Sequence, residues 1–227
     1  MLIGLTSCDK CGSSDANAEY SDSFYCFSCS TYKSKGLSLS RFKPLKTERL
    51  CNGITLQKTL PSNAVKWLLG YGLTLDEMSQ FNYSNKRIGK YGEMACNLLV
   101  LYSDSHYYVA RNLGKGIKYI TSGVKPVIKY GTNPDTCIIV EDIISAIKVG
   151  RQFTAIPMLG SIPCKHTASH LEGFKNVFLW NDRDKAKESL KTARNLSEIL
   201  GKTVRVIIKP LDPKEYSNFE IRSYISI

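Results

Sequence analysis

The chain has 227 residues, with 31 basic against 20 acidic side chains, a formal net charge of +11 and a hydrophobic share of 43%. That length admits one or two domains, and the composition excludes a disordered or collagen-like chain. No apolar run approaches the roughly 18 residues of a membrane-spanning helix, and Met1–Cys8 has neither the basic head nor the apolar length of a signal peptide. A cytoplasmic protein without membrane contact is therefore expected. The positive excess suits a polyanionic partner, nucleic acid foremost, because Lys and Arg release the counterions condensed on phosphates.

Residues 1–35 are rich in Ser, Asp, Asn and Cys and too poor in aliphatics to build a core, so a metal must hold them. Four of the eight cysteines stand here as two pairs, Cys8 with Cys11 and Cys26 with Cys29, whereas Cys51, Cys96, Cys137 and Cys164 are scattered singly. Each Cys-x-x-Cys forms a tight knuckle, and the residues between make a hairpin that brings the knuckles together. Four thiolates suit tetrahedral zinc in a closed structural site; an iron–sulfur cluster or a redox dithiol is the competing use. Residues 36–60 mix small, basic and turn residues and read as a linker.

From Pro61 the pattern becomes regular. Ser62–Leu69 is expected as an amphipathic helix capped by Ser62 and ended by Gly70, and Thr74 caps a second helical turn, Leu75–Met78. Strands are expected at Asn97–Tyr102, Tyr107–Arg111, Lys118–Thr121 and Val127–Tyr130. Then strand and helix alternate: strands at Cys137–Val140, Phe153–Met158, Val177–Trp180 and Val204–Ile208, and helices at Asp142–Val149, Ala168–Leu171 and Asp184–Leu200. This alternation predicts an α/β fold with a parallel sheet covered by helices over 135–227, preceded by an α+β segment over 61–134.

Acidic groups follow three of these apolar strands: Glu141, then Asp182 and Asp184, then Asp212 and Glu215. The carboxyl ends of parallel strands share one edge of the sheet, where ligands bind. Carboxylates converging there repel one another unless a cation compensates, and Mg²⁺ or Mn²⁺ is the usual answer when the substrate carries phosphates. Between Lys86 and Gly131 stand eight basic side chains (Lys86, Arg87, Lys90, Arg111, Lys115, Lys118, Lys125, Lys129) against two acids. They are expected to hold phosphates, with Arg111, Lys115, Lys118 and Lys129 as the nucleotide contacts. The tyrosines interleaved with them, Tyr91, Tyr102, Tyr107, Tyr108, Tyr119 and Tyr130, either stack on bases or belong to a half-buried sheet. His166 and His170 are spaced for one helix face but have no third ligand nearby, so they are read as ordinary polar residues, and Trp180 as core.

Glu141-Asp-Ile-Ile-Ser-Ala146 followed by Asp182-Arg-Asp184 resembles the Toprim motif shared by DnaG-type primases, topoisomerases and some nucleases. Cys8-Asp-Lys-Cys-Gly-Ser-Ser-Asp15 and Tyr20-Ser-Asp-Ser-Phe-Tyr-Cys-Phe-Ser-Cys29 are similar to the zinc ribbon of bacteriophage primases. Arg111-Asn-Leu-Gly-Lys-Gly-Ile-Lys118 and Leu211-Asp-Pro-Lys-Glu215 resemble the basic nucleotide-binding stretch and the third acidic motif of the primase half of short-tailed phage primase–helicases. The likeness spans nearly the whole chain. It implies a small β zinc ribbon, an α+β nucleotide-binding subdomain and a Toprim parallel-sheet domain, with structural zinc on the four cysteines. It further implies catalytic Mg²⁺ or Mn²⁺ on Glu141, Asp182, Asp184 and Asp212, Glu141 serving as ligand or as general base. The implied activity is that of a DNA primase, which makes short RNA primers from ribonucleoside triphosphates on single-stranded DNA, in the host cytoplasm for a phage-encoded protein. A Toprim nuclease and a non-catalytic zinc-ribbon nucleic-acid binder are the alternatives. The sequence departs from the pattern at Asp142, where the family has Gly, at Ser145, often acidic, and at Lys185-Ala-Lys187, commonly a small-residue turn. It contains no Gly-x₄-Gly-Lys-[Ser/Thr] phosphate loop, so no motor ATPase is expected and a helicase partner would be separately encoded.

Overall fold

The computed structural model describes residues 2–20, 23–29, 31–34, 53–89, 92–160, 163 and 166–225. The expected linker before Gly53, with Cys51, and also Lys90, Tyr91 and Cys164, lie outside the described residues. The chain divides into two units, Met1–Glu48 and Arg49–Ile227.

The first unit is a four-stranded antiparallel sheet, β1 (Leu2–Thr6), β2 (Asn17–Tyr20), β3 (Ser23–Cys26) and β4 (Tyr32–Ser34), in chain order. Ala18, Ser23 and two of the cysteines, Cys8 and Cys26, are its buried residues among those described, while Ile3, Leu5 and Phe27 are exposed. So small an apolar interior cannot offset the chain entropy of ordering. The knuckles close by backbone bonds: the Gly12 N–H donates to the Cys8 carbonyl at 2.9 Å, with Gly12 at φ +71°, and the Cys26 N–H donates to the Thr31 carbonyl at 2.9 Å.

The second unit begins with α1 (Ser62–Gly70) and α2 (Leu75–Met78). Ser62 is the first helical residue and Pro61 takes the cap position, which suits Pro's fixed φ and missing N–H. Thr74 caps α2 in a reciprocal pair with Glu77. An antiparallel meander follows: β5 (Asn82–Gly89), β6 (Gly92–Ser103), β7 (Tyr107–Asn112) and β8 (Tyr119–Gly123). The strand expected over Val127–Tyr130 does not form; Tyr130 alone pairs, through a single antiparallel bridge to Ala155.

The parallel sheet contains β9 (Thr136–Val140), β10 (Thr154–Pro157), β11 (Asn176–Trp180) and β12 (Val204–Ile207) in the order β10-β9-β11-β12. Its helices are α3 (Ile143–Gly150), α4 (Ala186–Leu200) and α5 (Asn218–Tyr224). Alternation along the strands divides the core. Ile138, Val140, Phe178 and Trp180 pack with Ala146 and Val149 of α3 and Ile221 of α5. Cys137, Ile139, Val177 and Leu179 pack on the opposite face with Ala193 and Leu196 of α4. Helix α3 is buried all round because its other side, Ile143, Ile144 and Ile147, joins α1, α2 and the meander in a third cluster. The result is a mixed α/β chain with three sheets, one of them parallel, and no helix among the described residues is long and apolar enough to cross a membrane.

Candidate functional site

Strand order fixes where a ligand could enter. The β9–α3–β10 crossover runs to one side of β9, and β11–α4–β12 runs to the other side of β11, with α3 and α4 on opposite faces. β9 and β11 therefore flank the topological switch point, where connections diverge and leave a crevice beyond the carboxyl ends. Val140 and Trp180, the last residues of these strands, are register partners. Glu141 follows one and Asp182 lies two residues beyond the other.

Asp182 is half-buried. Burial first, then its hydrogen bond with Asp212 and the charges of Glu141 and Asp212, push its carboxyl up to about 7, with Lys214 only partly opposing. Three sequence-predicted acids from three strand ends are thus in one electrostatic cluster. Glu141 forms an ion pair with Lys185, and its second oxygen, Oε2, is buried with no hydrogen-bond partner. Asp184, in the 3₁₀ turn Arg183–Lys185, is exposed and is not gathered with the other three. Glu215 is exposed and accepts from the Asp212 N–H at 3.0 Å, so it shapes the loop that carries Asp212.

Two lysines that sequence reasoning passed over occupy the cluster. Lys185 holds Glu141. Lys214 Nζ donates to Asp142 Oδ2 at 2.7 Å and Asp212 Oδ2 at 2.6 Å, and its side chain is 13% exposed. Burial opposes its charge, but Asp142 and Asp212 outweigh burial and raise its pKa. Asp142 also caps α3, its Oδ1 accepting from the Ser145 N–H at 2.8 Å. Ser145 itself is buried on α3. The Asn181 amide donates to Ser189 Oγ at 2.9 Å, and Ser189 Oγ donates to the Lys185 carbonyl at 2.8 Å, which pins the 181–185 turn onto α4. On the β10 side, the Leu159 N–H donates to the Glu141 carbonyl at 3.0 Å. Leu159 has φ +54° and is the one non-glycine residue with positive φ among the described residues; such strain concentrates at functional sites.

The predicted nucleotide contacts separate. Arg111, at the end of β7, lies with its guanidinium 5.5 Å from the Trp67 ring and 5.1 Å from the Tyr119 ring. Burial raises the Tyr119 pKa, and Asp142 and Lys214 also act on it, so this stack adjoins the acidic edge. Lys115 and Lys118 are exposed on the β7–β8 loop, which the Asn112 amide braces by donating to the Lys115 carbonyl at 3.0 Å. Lys129 lies over the Phe174 ring at 5.4 Å and acts on Cys137 at the amino end of β9, the opposite edge of the sheet from the acids. Lys125 instead approaches Gly160, beyond the carboxyl end of β10. Lys86 is engaged with Glu93 at 2.8 Å.

In the first unit, the Cys8 and Cys29 sulfurs are 3.8 Å apart and those of Cys11 and Cys26 are 3.7 Å apart. Thiolates about 2.3 Å from a tetrahedral zinc stand about 3.8 Å from one another, so four closely spaced cysteines could hold such an ion. Among the described residues, they are the only set of three or more Cys, His, Asp or Glu whose ligand atoms all lie within 4.8 Å. The neighbouring Thr31 hydroxyl is the main influence holding the Cys29 thiol down, to about 6, which favours the thiolate that a metal needs. The carboxylates at the sheet edge do not form such a set. They fit a divalent cation by chemistry, hard oxygens with one buried oxygen unpartnered, without being gathered around a point. No family model matches this chain, and no curated protein or solved structure is significantly similar to it.

Proposed function

We propose that the chain is a DNA primase that joins ribonucleotides de novo on single-stranded DNA. Its first unit is a zinc ribbon on Cys8, Cys11, Cys26 and Cys29, and residues 135–227 are a Toprim domain. The observation that carries this reading is the convergence of Glu141, Asp182 and Asp212 at the switch point of the parallel sheet, beside the Arg111 stack. The motif order in the sequence, paired cysteines ahead of the Glu and Asp-x-Asp acids, gives the reaction class.

Glu141 and Asp182, with Asp212 beside them, would form the site of Mg²⁺ or Mn²⁺, which supplies Lewis-acid stabilisation of the phosphates and a more acidic attacking hydroxyl. Arg111, Lys115 and Lys118 would bind the triphosphate, and the Trp67–Arg111–Tyr119 stack limits the freedom of the guanidinium, so its charge is offered in a fixed direction. Lys129, on the far edge of the sheet, has no part in this arrangement.

The test is incubation of the protein with single-stranded DNA, labelled ribonucleoside triphosphates and Mg²⁺. Oligoribonucleotide product is expected, lost by about 100-fold or more in Asp182→Asn while DNA binding persists. Cleavage of the DNA without ribonucleotide product would replace the primase by a nuclease acting through the same acids. Neither product nor cleavage would leave a nucleic-acid binder.

A further inference from the structure

Resting on this reading of the acidic edge, we infer that Lys214 is a built-in second cation, so that the site takes a single divalent ion, between Glu141 and Asp182. Four carboxylates, Glu141, Asp142, Asp182 and Asp212, meet at the edge, and two ammonium groups lie among them. The two lysines are not equivalent. Lys214 is held by two carboxylates from different strand ends, at 2.7 and 2.6 Å, and is 13% exposed. Lys185 touches one oxygen of one carboxylate and is twice as exposed, at 26%. Lys185 can swing to solvent at the cost of one ion pair, whereas moving Lys214 strips two half-buried carboxylates at once.

The carboxylate oxygens left for a metal follow from this difference. Asp142 has both oxygens engaged, Oδ1 by the Ser145 N–H and Oδ2 by Lys214. Asp212 has Oδ2 held by Lys214, and it lies close enough to Asp182 to raise that carboxyl's pKa. Glu141 has the buried and unpartnered Oε2, and Asp182 has no lysine within ion-pair distance among the described residues. A hard cation entering the crevice therefore finds its ligands on Glu141 and Asp182, displaces Lys185, and leaves the Asp142–Lys214–Asp212 bridge in place. Lys214 then acts as a positioning residue: it neutralises Asp212 and keeps its carboxyl against Asp182 without leaving the protein when the metal does.

Mn²⁺ titration of the zinc-loaded full chain without nucleotide, followed by the electron paramagnetic resonance of free Mn²⁺, tests this. One ion per chain is expected, rising to two in Lys214→Met, which keeps the buried stem and removes the charge, and returning to one in Lys214→Arg. Anomalous scattering from Mn²⁺-soaked wild-type crystals should show one peak, between Glu141 and Asp182. Two ions or two peaks in the wild type, or a peak between Asp142 and Asp212, would overturn the inference, as would one ion in a folded Lys214→Met protein. If Lys214→Met does not fold, the wild-type count and peak position decide alone. All of these outcomes leave the metal-dependent reading standing; no bound Mn²⁺ in the wild type would remove both.

Discussion

At the scale of single residues, the acids could be read from the sequence and their counterions could not. Glu141 and Asp182 each follow a short apolar strand, a local pattern that places them at one edge. Lys214 meets Asp142 across 72 residues and Lys185 meets Glu141 across 44, and no local spacing encodes such a meeting. Asp142 both caps α3 and anchors Lys214. Asp182 has a measurable consequence. A carboxyl pushed up to about 7 binds a proton in the folded chain that the unfolded chain has released, so it subtracts stability as pH rises from about 4 to 7. Asp182→Asn should therefore raise the melting temperature of the Mg²⁺-free protein above pH 7 by a few degrees, at about 2–4 °C per kcal/mol relieved, and leave it nearly unchanged near pH 4. Thermal melts at the two pH values check this; a lower melting temperature in the variant at pH 8 would contradict it.

At the scale of elements, hydrophobic strands and amphipathic helices were legible, and polar or short ones were legible only in part. β9 and β11 are continuous apolar runs buried on both faces, the mark of a central parallel strand. β5, Asn-Tyr-Ser-Asn-Lys-Arg-Ile-Gly, is mostly polar and forms because β6 offers it a long partner. Val127–Tyr130 has strand composition but no neighbour beyond the Tyr130 bridge, so pairing overrode propensity. α5 was missed although Ser217 and Glu220 form a capping box. Its Ile221 docks in the core of the parallel sheet, and Arg151, just after α3, donates to both carboxylate oxygens of Glu77 at 2.7 Å, to the Gly72 carbonyl at 2.8 Å and to Asn218 at 3.3 Å. This fork ties α2, α3 and α5 together. Glu77→Gln should destabilise the second unit by about 2 kcal/mol, because a largely buried guanidinium loses its paired charge. Arg151 first of all holds the Glu77 pKa below its usual value. Its contribution is therefore present above the unfolded carboxyl pKa and disappears as pH falls through the lowered folded value. Urea unfolding of both proteins at pH 7 and at a series of lower pH values would show the gap at pH 7 and its narrowing once the pH falls below the ordinary carboxyl range.

At the scale of the whole molecule, two units obey different rules of stability. The cysteine spacing announced the first, because a segment so poor in buried apolar groups has only a metal to order it. The second has three large apolar clusters and needs no ion to fold. Removal of the metal with a strong chelator should release one zinc ion per chain and abolish the β structure of residues 1–48, with the melting transition of Arg49–Ile227 retained. Zinc release by a chromophoric chelator together with far-ultraviolet circular dichroism measures both halves of this expectation, and a chain that keeps its ribbon structure after metal loss would refute it. The division of the basic residues was legible only in part. Arg111 reaches the acidic edge through the β7 register, whereas Lys129, only 18 residues on, is carried to the opposite edge because Tyr130 must bridge to the middle of β10.

The lysine bridge between Asp142 and Asp212 also supplies, before any ion binds, the counter-charge that the acidic edge needs. A cluster of carboxylates without counter-charge could close only around an ion, and the ion would then take part in shaping the site. Here the ammonium groups supply counter-charge from within the chain, and Glu141 and Asp182 stand just beyond the ends of neighbouring strands held about 4.8 Å apart. On the proposed reading, a divalent cation would arrive at an opening already formed. On that reading the acidic edge would thus be shaped by the chain before any ion, while a ribbon built on four cysteines would take its form from the ion it captures.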